Sequence, residues 1–335
     1  MKITKLILVI IALISSVAGF SQNTHTVIKQ RLESVVIMGN IFNPDALSKT
    51  TFFYDEHENN TLRIEYLWKP TINDWWESRK YEYTYDDKKN IIIEIVEDFR
   101  DSLIKNWFVY PLSKNEYTYD TNRNLTMNAE YRWNSIDNEW EEIRKEKIEY
   151  VYDNNRNITK EICYHWGSMK NIWGKSYKYE YTYDTHGNRK KTVLSYYSSK
   201  KNVWKKDHKL RFTHDVSGNL IKVIDNKRLG RRKSVLEKRY KIEYMYDSNQ
   251  NLIRTISYDR TKKYTWREKR KYDYIYDTSY SSENLIIPQC LYYSLGSKCG
   301  YYYNYMLLEE SIYKWKSNNW ESISVEKYYY SPQTK

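Results

Sequence analysis

The chain repeats itself, and no other feature limits its possible folds so strongly. An 11-residue motif, K-Y-E-Y-T-Y-D-T-H-G-N at Lys178 to Asn188, returns in varied form about every 31 residues. Anchored on the aspartate that closes its tyrosine run, the copies fall at Asp55, Asp86, Asp120, Asp153, Asp184, Asp215, Asp247 and Asp277. The steps between them are 31, 34, 33, 31, 31, 32 and 30 residues. Six residues before each aspartate stands a lysine, from Lys49 and Lys80 through to Lys241 and Lys271. Four residues after it stands an asparagine in seven of the eight copies, from Asn59 to Asn251. A fixed period of this length identifies an array in which each copy is one supersecondary unit.

Within a copy the pattern alternates. Counting back from Asp184, Tyr183, Tyr181 and Tyr179 interleave with Thr182, Glu180 and Lys178. A period of two in aromatic and β-branched residues predicts a half-buried strand with one aromatic and one charged face. Alternation resumes past the D-x-x-x-N turn, as in Leu125, Met127, Ala129, Tyr131 and Trp133. A second tryptophan follows about 20 residues after the aspartate: Trp75, Trp107, Trp140, Trp173, Trp204 and Trp266. From there to the next aspartate is 11 or 13 residues, so unbroken alternation places this tryptophan on the tyrosine face. Each repeat therefore reads as two long strands joined by tight turns, and the repeats chain into an antiparallel β-meander. Gly187 and Gly218 occupy a turn position suited to a left-handed residue; other copies hold Lys89, Arg123, Arg156 or Gln250 there.

The expected fold is all-β: some fifteen or sixteen strands in a curled sheet that spirals or closes on itself, because an open twisted sheet rarely grows so wide. Tyrosine and tryptophan are expected to form its core, with lysine and glutamate facing water.

Four segments are expected. Lys2, Lys5, the apolar run Leu6 to Val17 and the small residues after it describe a secretory signal peptide, 1–21, cleaved after Ser21; an uncleaved anchor is the alternative. Residues 22–48 form an N-terminal cap, with a strand over Arg31 to Met38 covering the edge of the first hairpin. Residues 49–271 hold seven tandem repeats, and 272–335 hold an atypical last repeat with an insertion, as expected where an array is capped. Two inner copies are degraded, with Phe99 replacing one first tryptophan, Arg228 another, and His214 replacing a tyrosine.

The formal net charge is +12, or about +10 without the signal's two lysines. In an exported protein this favours an anionic envelope surface or polysaccharide over nucleic acid, with lysines spread along a solvated face as the simplest reading. The one clustered run is Lys227 to Lys233. Cys290 and Cys299 lie nine apart around a Gly-Ser turn, where a local disulfide is expected; Cys163 is left over as a free thiol.

No G-x-S-x-G, G-x-x-x-x-G-K, H-E-x-x-H or C-x-x-C occurs, and the six histidines are scattered. The turns at Asp120 and Asp153 imitate the start of a calcium loop but lack its glycine at position six and glutamate at twelve. No cofactor, metal or catalytic residue is expected. The candidate ligand-binding residues are tryptophans at hairpin ends, Trp133, Trp140, Trp166 and Trp173, able to stack on sugar rings if they stay exposed.

The Y-x-Y-D-x-x-G-N segments resemble the YD repeats of RHS and teneurin-type proteins. The tryptophan pair and the period near 31 are similar to secreted tandem-repeat proteins of Bacteroidetes-type bacteria. For RHS proteins the resemblance implies an antiparallel sheet spiralling into a hollow shell, and it brings no catalytic residues. The expected function is that of an exported, non-enzymatic structural or adhesin-like interaction protein of the bacterial cell envelope. It would be periplasmic, cell-surface or extracellular, with a polysaccharide or another envelope protein as partner. The alternative is a carbohydrate-binding protein, with a polysaccharide hydrolase a distant third.

Overall fold

The computed structural model describes residues 30–38, 47–100, 108–167, 171–228, 236–261, 265–281, 285–286, 305–316 and 319–332. The signal segment 1–21 and the cysteine pair Cys290 and Cys299 lie outside the described residues. An N-terminal strand, β1 (Gln30–Met38), precedes the repeats. These supply β2 (Leu47–Tyr54), β3 (Asn60–Lys69), β4 (Asp74–Tyr85), β5 (Ile91–Arg100), β6 (Phe108–Tyr119), β7 (Leu125–Asn134) and β8 (Glu139–Tyr152). They continue through β9 (Ile158–Gly167), β10 (Ile172–Tyr183), β11 (Arg189–Ser198), β12 (Val203–His214), β13 (Leu220–Arg228), β14 (Leu236–Tyr246), β15 (Leu252–Arg260) and β16 (Trp266–Ser281). A two-residue strand, β17 (Leu285–Ile286), leads to β18 (Tyr305–Lys316) and β19 (Asn319–Pro332).

Every long strand pairs antiparallel with its neighbours in sequence, β16 passing directly to β18. The ends then meet. β1 pairs antiparallel with β2 on one side, Val35 opposite Thr50, and with β19 on the other, Val35 opposite Tyr328. Setting aside β17, which touches only the start of β1, the sheet is a closed barrel of 18 strands. This corrects the curled or spiralled sheet expected from the repeat: among the described long strands no free edge remains. The reason is physical. An all-antiparallel meander can close only with an even number of strands, β1 makes the number even, and closure pairs the N–H and C=O groups that two edges would expose.

The curvature comes from bulges spaced as regularly as the repeats. Each pairing of successive strands from β2 to β16 carries one register shift. Across an Asp turn, Thr182 faces Lys191 but Tyr183 faces Arg189. Across a Trp turn, Lys175 faces Tyr164 but Tyr177 faces Cys163, leaving Ser176 unpaired. Bulges bend a strand and raise its twist, so hairpins bulged alike add up to a closed wall.

Adjacent residues show which face turns inward. Phe52, Tyr83 and Tyr244, three before their aspartates, are 1%, 6% and 4% exposed; Phe53 and Met245, one residue later, are 43% and 42% exposed. Rings of this size find such crowding on the concave side of the wall, so the tyrosine face lines the interior; the other face buries only smaller residues as deeply, such as Ala129 and Ser195. There the rings join Leu32, Val35, Ile91 and Leu307 in one cluster and Val223 and Leu252 in another, with Tyr274 packed against both. Burying a ring of this size contributes about 2–3 kcal/mol.

Candidate functional site

The Asp turns form one rim, and their geometry follows from the aspartate. Asp184 Oδ1 accepts the amides of His186 and Asn188 at 2.9 Å, while Oδ2 accepts the Asn188 side-chain amide at 3.2 Å. The other six described turns repeat the arrangement, as at Asp120 with Asn122 and Asn124. At Asp120 burial pushes the carboxyl up, but the hydrogen bonds from Asn124, Tyr152 and Asn122 outweigh it and hold the group below the usual range. The residue before each asparagine is left-handed whatever its type: Gly187 and Gly218 at φ 82° and 87°, and Lys89, Arg123, Arg156 and Gln250 at 63° to 67°. Just inside this rim, tyrosines preceding the aspartates donate to carbonyls of the previous hairpin: Tyr85 to Asn60 at 2.6 Å, Tyr119 to Ile91 at 2.8 Å and Tyr183 to Ile158 at 2.7 Å.

The tryptophans lie on the other face. Odd spacing placed Trp140 and Trp173 beside the tyrosines, but the unpaired bulge residue, Ser176 in β10, inverts the alternation between the tryptophan and the motif. The bulge after the Asp turn does the same for Tyr131 and Trp133. Both rings of each pair thus face outward, beside the lysines, and the core contains tyrosine without these tryptophans. This corrects the expected shared face.

On the outer wall the residues form a recurring cluster. Trp133 packs edge to face on Trp140 at 5.2 Å between centroids, and Trp166 on Trp173 at 5.2 Å. All four rings are half-buried. Trp68–Trp75, Tyr197–Trp204 and Trp315–Trp320 repeat the pair at 5.0–5.4 Å. The motif lysine two strands back reaches into the cluster. Lys147 Nζ lies 4.9 Å from the Tyr164 ring and 5.7 Å from Trp173; Lys114 Nζ lies 4.2 Å from Tyr131 and 5.9 Å from Trp140. Its charge is met by the glutamate two residues on, Lys114–Glu116 at 2.9 Å and Lys147–Glu149 at 2.7 Å, and Tyr131 and Tyr164 donate to the same carboxylates. The Lys114 hydrogen bond, with that from Tyr131, holds Glu116 low against burial, while burial and then Glu116 push Tyr131 up to about 12. Each cluster offers an aromatic edge beside a cation, suited to stacking on a sugar or another flat apolar group.

Cys163 is a free thiol, 2% exposed on the inner face, and burial raises it to about 12. Among the described residues, no group of three His, Cys, Asp or Glu could hold a metal ion. Sequence spacing missed one surface: a concentration of cations on β11 and β12, visible only once register shows which side chains share a face. Its one trace in the sequence is Arg211, standing where most copies carry glutamate.

No family model and no curated protein matches the chain. Among solved structures, the chain is similar to a Bacteroides fragilis protein of unknown function at 20% identity, covering 39% of this chain and 88% of that one, TM-score 0.31. A porin-like protein from Bacteroides uniformis aligns over 90% of this chain and 98% of that one at 8% identity, TM-score 0.39. The TcdB2–TccC3–Cdc42 structure aligns over 87% of this chain, which spans 16% of that chain, at 10% identity and TM-score 0.28.

Proposed function

We propose that this protein is an exported, non-enzymatic structural or interaction protein of the bacterial cell envelope, presenting its outer wall in an adhesin-like way. The observation that carries the reading is repetition: the same Lys–Glu–Tyr–Trp cluster recurs around the wall, an arrangement suited to extended contact and not to one reacting centre. Kinship with YD-type repeats belongs to the same proposal and rests on the Y-x-Y-D-x-x-x-N turns. The outer wall is made for water, since lysines at the bilayer midplane of a β-barrel cost about 2–4 kcal/mol each and this face carries one in nearly every repeat. Fractionating the native bacterium with an antibody against the chain tests the reading: it expects an envelope or medium pool, and a cytoplasmic pool overturns it.

A second reading, carbohydrate binding, is favoured by the outward tryptophans. It expects saturable quenching of tryptophan fluorescence on a glycan panel and loss of the response in Trp140→Ala. Flat titrations across the panel would leave the structural reading alone.

A further inference from the structure

In six described copies the residue four before the aspartate is acidic and bonds the motif lysine of its own strand: Lys80–Glu82, Lys114–Glu116, Lys147–Glu149, Lys178–Glu180, Lys241–Glu243 and Lys271–Asp273, at 2.6–3.1 Å. In β12 that residue is Arg211. It stands directly opposite Lys191 of β11, two residues from Lys209 on the same face. Lys206 pairs with Ser195, beyond a bulge at Asp207 that keeps it on this face as well. No carboxylate is bonded to these four cations among the described residues. The outer-face acids Glu180 of β10 and Glu243 of β14 are already held by Lys178 and Lys241. The field is strong enough that Arg211, followed by burial, Lys191 and Lys206, pushes the Lys209 ammonium below its ordinary value.

Like charges opposed across a strand pair cost stability, and a local rule broken without visible compensation within the fold points to a ligand. The row has one end suited to it: towards the rim opposite the Asp turns lies the Tyr197–Trp204 pair, with Lys178 Nζ 5.4 Å from the Trp204 ring. From Trp204 to Thr213 the row spans roughly 30 Å at about 3.3 Å per residue, the reach of several sugar units.

We propose that the outer wall of β11 and β12 binds an anionic polysaccharide, its carboxylate or sulfate groups on Lys191, Lys206, Lys209 and Arg211 and a sugar ring against Trp204. The proposal rests on reading the barrel as an interaction protein and names the chemistry of its partner. Arginine and lysine spaced along an extended wall suit regularly spaced anions.

The test uses the purified protein on immobilised chondroitin sulfate, with neutral dextran and single-stranded oligo-dT as competitors. The wild type is expected to bind chondroitin sulfate, with affinity falling as salt rises, and to ignore dextran. Arg211→Glu should weaken binding about tenfold or more, as expected for loss of a charge-assisted contact. The same change should raise the thermal midpoint, because the new carboxylate can pair with Lys209 as Glu180 does with Lys178. Lys88→Glu makes an equal change of charge in the distant Asp86 turn and should leave binding intact. Equal losses in the two variants would mean that only net charge matters and would overturn the stripe, as would no binding at low salt. Stronger displacement by oligo-dT, with the same dependence on Arg211, would replace the polysaccharide with a polynucleotide. Glycan binding lost in Trp140→Ala but unchanged in Arg211→Glu would sink the stripe and leave the interaction reading standing, whereas a cytoplasmic pool would remove that reading itself.

Discussion

At Asp120 a single carboxylate accepts two backbone amides and a side-chain amide, so one residue organises the turn. Asp120→Ala should cost about 1–3 kcal/mol, the range for leaving such donors unmet, read as a lower urea midpoint. The turn aspartates are held below their ordinary pKa in all seven described turns. Their contribution to stability is therefore complete above about pH 4, the unfolded value, and drains away as pH falls through the depressed folded values. Urea midpoints measured from pH 6 down to pH 2 should drop most steeply below 4, with a shallower fall in Asp120→Ala. Cys163 makes the opposite case: buried and raised to about 12, its thiol should ignore Ellman's reagent at pH 8 in the native protein and react fully in urea. The turn was legible in the sequence because aspartate, asparagine and left-handed residue lie within five positions. The depth of Cys163 was not, since it depends on partners in neighbouring strands.

Each strand from β3 to β16 carries a bulge that decides what its alternation means. Without Ser176 the odd spacing from Trp173 to Asp184 would have put the indole inside with Tyr179 and Tyr181; with it, the indole meets Trp166 outside. Deleting Ser176 should force β10 to choose between its tryptophan and its tyrosines, because a one-residue slip moves a whole strand to the opposite face. The expected result is insoluble protein or a loss of about 3 kcal/mol or more, whereas Ser176→Ala should stay within about 0.5 kcal/mol. Soluble protein with an unchanged urea midpoint after the deletion would contradict the assignment. Strand existence and length were readable from period-two alternation. Facing was not, because a bulge is a pairing event and leaves no fixed residue type: Ser78, Ile143, Ser176, Asp207 and Lys269 all serve.

At the scale of the molecule, β1 is the closing strand, bonded to β2 and to β19 at once. Removing residues 1–38 should open the barrel and leave two long exposed edges, a template for pairing between copies. Light scattering on the eluted protein should then report species larger than those of the full chain; a truncated protein with no increase in size would argue against closure through β1. The repeat, its hairpins, the Asp turns and the all-β class are written locally along the chain, because turn chemistry and alternation act over a few residues. Closure of the sheet, the outward tryptophans and the shared wall of Arg211, Lys191, Lys206 and Lys209 emerge only when the strands pair. Closure and register are set by pairing between distant strands, as when Ser331 bonds Glu33 across 298 residues, and no local pattern encodes such a partner.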